Sequence, residues 1–251
     1  MPGRFRQRSY ELEHLDVGDY SAAEYEGCIV ELQRVNRWLG DTRALRNSLL
    51  NDLQKETSKA FSVLDVGAGS GELLRVVADW ANAERRSCKL VGLELNARSA
   101  KAIIEDSHGE VSSVRADAFQ LPFAHGTFDY VVCSLFTHHF REAQVVQLLR
   151  EMSRAAKRKL FVIDLHRHPV AYNFYITIGR LFLYNRLIRE DGALSILRSF
   201  TPHELQTLAE QAGLTNVRVR RSFPFRLVLS ANGRALQQRN LNEPEEMRLA
   251  S

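Results

Sequence analysis

The stretch Val63-Leu64-Asp65-Val66-Gly67-Ala68-Gly69-Ser70-Gly71-Glu72 sets three glycines at alternate positions between an apolar run and a helical period. Backbone without Cβ atoms can approach a ligand closely and aim a helix N-terminus at it. The spacing is G-x-G-x-G, and Glu72 stands where the dinucleotide fingerprint has its third glycine, so a pyrophosphate is not the expected guest. Asp65 ends the run before the loop, and Glu94 ends the next apolar run, 23 residues past Gly71. A carboxylate there can accept both hydroxyls of a ribose. Asp65 has no cation within its motif and suits a ligand that brings its own ammonium group. A tight turn flanked by two solvated acids is the competing account, and it leaves their pairing unexplained.

Two histidine pairs follow later apolar runs: His138 and His139 after the fourth, His166 and His168 after the fifth. In a parallel sheet, ligands lie at the carboxyl ends of strands, which is where both pairs fall. An imidazole, near pKa 6.5, is the natural general base at neutral pH. His139 and His166 are the candidate bases, with His138 and His168 as substrate contacts; the bland alternative for each is a hydrogen-bonded structural imidazole. No H-E-x-x-H or comparable spacing joins them, so no metal is expected. Cys28, Cys88 and Cys133 are odd in number, widely spaced and form no CxxC pair. Cys133 reads as a small core residue, because no Pro precedes it as in a Pro-Cys nucleophile motif. The segment Cys133-Ser134-Leu135-Phe136-Thr137-His138-His139 also lacks the Asn or Asp, Pro, Pro, aromatic sequence that accepts the exocyclic amine of a nucleobase.

The elements that must position these groups alternate. Short apolar runs span Ser62 to Val66, Leu90 to Leu95, Val111 to Arg115, Phe128 to Ser134 and Lys159 to Asp164, with helical periods over 71–84, 97–107 and 142–156. Upstream, Ser21 and Glu24 form a capping box before Ile29, Leu32, Val35 and Leu39, and Gly40 can stop that helix. Asp41 is expected to cap a second helix running to about Lys55. Downstream, Thr201-Pro202-His203-Glu204 is another capping box, and Thr215 to Val219 with Phe223 to Leu229 reads as a hairpin around Ser222. The expected organisation is a helical cap over 1–58, a main domain over 59–230 with an insertion at about 169–199, and a loose tail over 231–251. The first ten residues are also expected to be loose.

The insertion carries Val170, Phe174, Ile178, Leu181, Phe182 and Leu187, with Tyr172, Tyr175 and Tyr184, in one helix apolar over most of its circumference. Packing against the body or a dimer contact competes with the functional reading, a lid over a greasy aromatic substrate that Tyr172 and Tyr175 would touch. Each buried CH₂ of an alkyl tail contributes about 0.8 kcal/mol to such a complex. Arg198, near the end of the insertion, could orient an acidic or phenolic group.

The 251 residues are 45% hydrophobic and 25% charged, enough for one sizeable core. The net charge is only +4, six of 34 basic residues are Lys, and no long run of like charge occurs, so no nucleic-acid partner is implied. The N-terminus lacks the apolar core of a secretory signal, which points to the cytoplasm. Pro169 opens the most apolar stretch, and Asn173, Arg180, Asn185 and Arg186 interrupt it, so no membrane span is expected. A monomer or homodimer is expected, and no repeat of solenoid length is present.

DVGAGSG, then GLELN, then RADAFQLPFAHGTFDYVVCSLFTHHF resembles the class I S-adenosylmethionine-dependent methyltransferases from Phe61 to Leu229. The resemblance implies an α/β fold, a doubly wound, seven-stranded, mostly parallel Rossmann-like sheet with one antiparallel strand, here with N-terminal helices and the helical insertion. It further implies that S-adenosyl-L-methionine is the cofactor. Asp65 and the loop Gly67, Ala68, Gly69 and Gly71 would hold its methionine part, Glu94 its ribose, Leu95 the flank of its adenine, and Asp117 with Ala118 the adenine amino group, with Ser134 at the same site. The segments Leu32-Gln33-Arg34-Val35-Asn36-Arg37-Trp38-Leu39-Gly40 and Asp164-Leu165-His166-Arg167-His168-Pro169 resemble a bacterial subgroup found beside type III polyketide synthases. That resemblance implies O-methylation of a hydrophobic phenolic or polyketide-derived small molecule. Carbon methylation of a quinone ring is the second reading, and a cofactor-binding scaffold without catalysis the third.

Overall fold

The computed structural model describes residues 3–18, 21, 27, 40–183 and 185–235. Seven strands form one sheet: β1 (Ala60–Val66), β2 (Ser87–Glu94), β3 (Ser112–Arg115), β4 (Phe128–Ser134), β5 (Ala156–Leu165), β6 (Arg218–Ser222) and β7 (Arg226–Asn232). Their spatial order is β3-β2-β1-β4-β5-β7-β6. The pairs among β1 to β5 are parallel, and β7 runs antiparallel to both neighbours. Strand order reverses between β1 and β4, so the crevice for a ligand opens at their carboxyl ends. Asp65 sits there, in register with Gly92 on one side and Val132 on the other.

Period-two burial divides the core into two layers. Leu64, Val66, Val131, Cys133, Val162 and Leu227 face one side, where helices α6 (Glu142–Ala155) and α9 (Pro202–Gln211) cover them. Val63, Tyr130, Val132, Ile163 and Val228 face the other, under α2 (Asp41–Leu45), α4 (Glu72–Ala83) and α5 (Ala97–Asp106). Each such side chain, fully buried, contributes roughly 1.5–3 kcal/mol, which is why both layers are apolar and the polar groups gather at strand ends. The thiol of Cys133 is buried and pushed up by that burial, in keeping with a core role. No helix among the described residues is long and apolar enough to cross a membrane.

Several expectations need correction. Asp41 does not cap α2: its carboxylate turns inward onto the Arg226 guanidinium, and both are buried. The helix continues through a π turn (Arg46–Leu50), where Ser48 Oγ donates to the Ala44 carbonyl at 2.6 Å, and ends in α3 (Asn51–Gln54). The hairpin turns at 223–225 rather than at Ser222, because Pro224 has no N–H for a ladder, and β7 runs on through Asn232 into the stretch read as tail. The insertion is two helices, α7 (Pro169–Phe182) and α8 (Arg186–Arg198), with the Asn185 side chain accepting from Leu187 N at 2.9 Å to start the second. The N-terminal segment is not loose. Phe5 and Arg8 are buried, and α1 (His14–Val17) docks where Asp191 accepts from His14 N at 2.8 Å. The capping box at Glu24, the apolar periodicity of 29–39, Tyr184 and the tail beyond 235 lie outside the described residues.

Candidate active site

The glycine loop follows β1 with Gly67, Gly69 and Gly71 all at positive φ. A Cβ on Gly67 would lie 2.7 Å from the Phe136 ring, whereas one on Gly69 would meet nothing within 4 Å. The first glycine is therefore demanded by the protein's own packing, and the second faces open space where another group can approach. Gly67 N and Ala68 N donate to the Leu93 carbonyl at 2.9 and 3.1 Å, fastening the loop to β2. Glu94 Oε2 accepts from Gly69 N at 3.0 Å, and its Oε1 accepts from Leu95 N and Asn96 N at 2.9 and 3.0 Å.

Asp65 is 2% exposed, and its Oδ1 has no hydrogen-bond partner. Burial, and then the charge of Glu94, push its carboxyl up to about 7. A buried carboxylate without a partner is costly unless something cationic completes it. These acceptors therefore fit a ligand with an ammonium group beside Asp65 and a hydroxylated ring near Glu94. Ser134 Oγ, at the end of β4, is likewise buried and without a partner. Leu95 is 63% exposed on the rim, Ala118 is buried, and Asp117 is exposed with Oδ1 accepting from Phe119 N at 2.9 Å.

The histidines are not equivalent. His138 Nδ1 lies 2.6 Å from Asp164 Oδ1, and both residues are buried. Asp164 also accepts from Thr137 Oγ1, from His138 N at 3.1 Å and from Leu165 N at 2.7 Å. Burial alone would raise that carboxyl; the attraction and hydrogen bond of His138, with the other donors, hold it well below the usual carboxylate range. An acid fixed on Nδ1 leaves the opposite ring nitrogen to exchange a proton. His139 packs its ring 4.3 Å from that of His138. His166 is pushed down to about 4, first by burial and then by His168, Arg221 and Arg167, and its buried Nε2 is unpartnered. A group with that value is a poor base at neutral pH. Of the four, His138 is the one held by a buried carboxylate, which makes it a candidate base beside the expected His139 and His166.

The other residues expected at the substrate have partners within the fold. Arg198 is buried, not exposed: its Nη2 donates to the His139 carbonyl at 2.9 Å, and its Nη1 lies 3.5 Å from Glu13 Oε1. Tyr175 Oη donates to the Ile188 carbonyl, tying α7 to α8, and His168 Nδ1 accepts from Val170 N at 3.2 Å at the start of α7. Tyr172 accepts from Arg4 Nη2 at 3.0 Å and packs edge-on against Phe5. Each of the four thus has a hydrogen-bond partner within the fold.

Three further groups escaped the sequence. Arg8 donates to the carbonyls of His138 and Phe140 at 3.1 Å each, to that of Arg198 at 2.6 Å, and to Glu142 Oε1 at 3.0 Å. Arg226 is 1% exposed, with Nη1 and Nη2 both unpartnered; its partner Asp41 lies within electrostatic reach of Asp164 and His138. Glu13 reaches the histidine pair, so that Glu13, His138 and His139 each bring a ligand-type atom within 4.8 Å of the others. Glu13 also accepts from Ser195 Oγ at 2.7 Å beside Arg198, so its charge is already balanced. No local pattern signals these contacts, since the partners lie 130 or more residues away.

Residues 63–159 match the family model described as "Methyltransferase domain". The demethylmenaquinone methyltransferase of Bacillus licheniformis is 25% identical over 213 residues, covering 79% of this chain and 85% of its own. Among solved structures, human N-acetylserotonin methyltransferase in complex with S-adenosylmethionine aligns at TM-score 0.58 and 15% identity over 90% of this chain and 62% of its own. An S-adenosylmethionine-dependent methyltransferase from Aquifex aeolicus aligns at 0.55 and 18% identity over 79% and 92%. The solved structures bear on the fold, and the domain match over residues 63–159 and the curated relative bear on the activity, that of an S-adenosylmethionine-dependent methyltransferase.

Proposed function

We propose that the chain methylates a ring carbon of a hydroxylated, quinol-type acceptor with a lipophilic tail. The observation that carries the reading is the buried His138–Asp164 pair at the strand ends beside Ser134. The curated relative supports the acceptor, because demethylmenaquinone is a quinone that gains its methyl group on a ring carbon.

When bound, S-adenosylmethionine supplies a methyl group on a positively charged sulfur, already activated for in-line displacement. Asp65 is suited to its ammonium group, Glu94 to its ribose hydroxyls, the backbone of the loop to its methionine part, and Leu95, Asp117 and Ala118 to its adenine. His138 accepts the proton of a ring hydroxyl on the nitrogen opposite Asp164, which keeps Nδ1–H in place. The negative charge left on the oxygen spreads to the adjacent ring carbon and makes it the nucleophile; after transfer that carbon sheds its hydrogen as a proton. The unpartnered N–H groups of Arg226 suit the second ring oxygen, neutral His166 lies at the same strand ends, and α7 with α8 covers the tail and excludes water. Most of the acceleration then comes from positioning.

O-methylation, the expectation from sequence, uses the same base and stops at the oxygen, but the relative's substrate favours carbon. The test is incubation with methyl-labelled cofactor and either a reduced tailed naphthoquinone or an alkylresorcinol, reading the labelled product by carbon-13 NMR. A ring-bound methyl on the naphthoquinol supports the proposal. A methoxy product from both acceptors, or label in neither, overturns it.

A further inference from the structure

The fold gathers cations that the sequence spreads out. A groove of about 660 Å³ runs between the helical segment 41–54 and the outer half of the sheet, lined by Arg43, Lys55, Lys159, Arg218, Arg220 and Arg221 against one acid, Asp52. Lys159 pairs with Asp52 through Nζ and Oδ1 at 2.5 Å. The remaining five have no acidic partner among the described residues, a local excess larger than the +4 of the entire chain.

Charge on β6 has a simpler explanation to overcome. It is an edge strand, and edge strands carry cations to prevent pairing with other chains. That does not account for the apolar groups at the same corner. Phe223, at the β6–β7 turn, is 73% exposed, with the Arg43 guanidinium 5.6 Å from its ring. Two residues on, Phe225 packs 5.3 Å from Phe174, which is itself exposed on α7 beside exposed Val170. Exposed aromatic and aliphatic groups flanked by arginines match a surface that is negative outside and apolar within. A nucleic acid would satisfy the charge but give the exposed Val170 and Phe174 nothing apolar to enter.

We infer that this corner docks the protein on an anionic lipid bilayer, with Phe223, Phe174 and Val170 entering the headgroup boundary and Arg43, Arg218 and Arg220 facing lipid phosphates. The surface adjoins α7, so an acceptor tail leaving the bilayer would meet the helical cover directly. The inference stands on charge and exposure, and it holds whichever acceptor is methylated.

The test is co-sedimentation of the full chain with vesicles of phosphatidylcholine alone and with added phosphatidylglycerol. The protein should sediment only with the anionic vesicles and be released at molar salt, where screening falls to about 3 Å. At about 1 kcal/mol per arginine, the triple variant R43Q/R218Q/R220Q should bind about a hundredfold more weakly. F223S should bind about tenfold more weakly with an unchanged salt response. All four positions are exposed, and unchanged thermal unfolding of the variants checks that they are folded. Equal binding to neutral vesicles, no binding to either, wild-type binding by the triple variant, or binding to duplex DNA but not vesicles overturns the inference. The readout needs no turnover, so a wrong acceptor cannot be mistaken for a wrong surface.

Discussion

Asp65→Asn should make the free protein more stable and the cofactor complex far weaker. The carboxyl is held at about 7 by burial and by Glu94, against 3.8 in an unfolded chain. With the folded value raised, the folded state holds the proton more tightly, so the stability it confers is present in full below about pH 4 and drains away up to about 7. The slope in that window is about 1.4 kcal/mol per pH unit, so the ionised carboxylate costs on the order of 4 kcal/mol above pH 7. Asn escapes this cost. Urea denaturation of wild type and D65N from pH 4 to pH 9 should therefore show a gain for D65N that widens to about pH 7 and then stays level. Binding should move oppositely. Removing the anion proposed to pair with the cofactor's ammonium group forfeits about 3–5 kcal/mol, so calorimetry with S-adenosylhomocysteine should show a loss of at least a hundredfold. For the wild type, affinity should climb with pH toward 7, since the ligand needs the ionised form. Undiminished binding by D65N, or a stability difference flat across that pH range, would refute the reasoning.

His138→Ala should lower single-turnover methyl transfer by at least about a hundredfold and Asp164→Asn by a comparable factor, with a smaller effect from His139→Ala; the reverse order would return the base to His139. Gly67→Ala should destabilise the fold by about 1–3 kcal/mol in urea, since its Cβ meets the Phe136 ring, whereas Gly69→Ala should cost about 1 kcal/mol for its left-handed backbone and act mainly on cofactor affinity. Arg8→Gln should cost about 2–4 kcal/mol by breaking buried charged hydrogen bonds and should expose the N-terminal segment to proteolysis, read as faster cleavage before Glu13.

Much of the sheet is legible because a strand buried on both faces must be apolar. Phe128–Ser134 is found as expected, and the other parallel strands extend the expected runs by a few residues or trim them by one. Local chemistry also reveals the Thr201 capping box, where Thr201 and Glu204 exchange hydrogen bonds. Misreadings arise where an aromatic signal competes with backbone chemistry. Phe223 and Phe225 look like strand residues, but Pro224 between them cannot serve a ladder. The apolar insertion has no pattern break strong enough to reveal that Asn185 restarts a helix. At the site, the loop and its two acids can be read directly, since each needs only its own strand end. His138 and Asp164 are 26 residues apart, and Asp41 meets Arg226 across 185, so their pairing belongs to the topology and leaves no periodic trace. The distribution of charge fails for the same reason: +4 describes the whole chain and says nothing about which side collects it.

The Tyr175 hydroxyl lies against Gly192 on α8 as well as on the Ile188 carbonyl, at a spot where any Cβ would collide with the phenol. The two helices after β5 are thereby riveted into one plate. On the proposed reading, in which this pair covers the acceptor, a bulkier one is not housed by sliding one helix past the other. On that reading the acceptor range should answer first to substitutions at Tyr175 and Gly192, whose contact sets the spacing of the two helices.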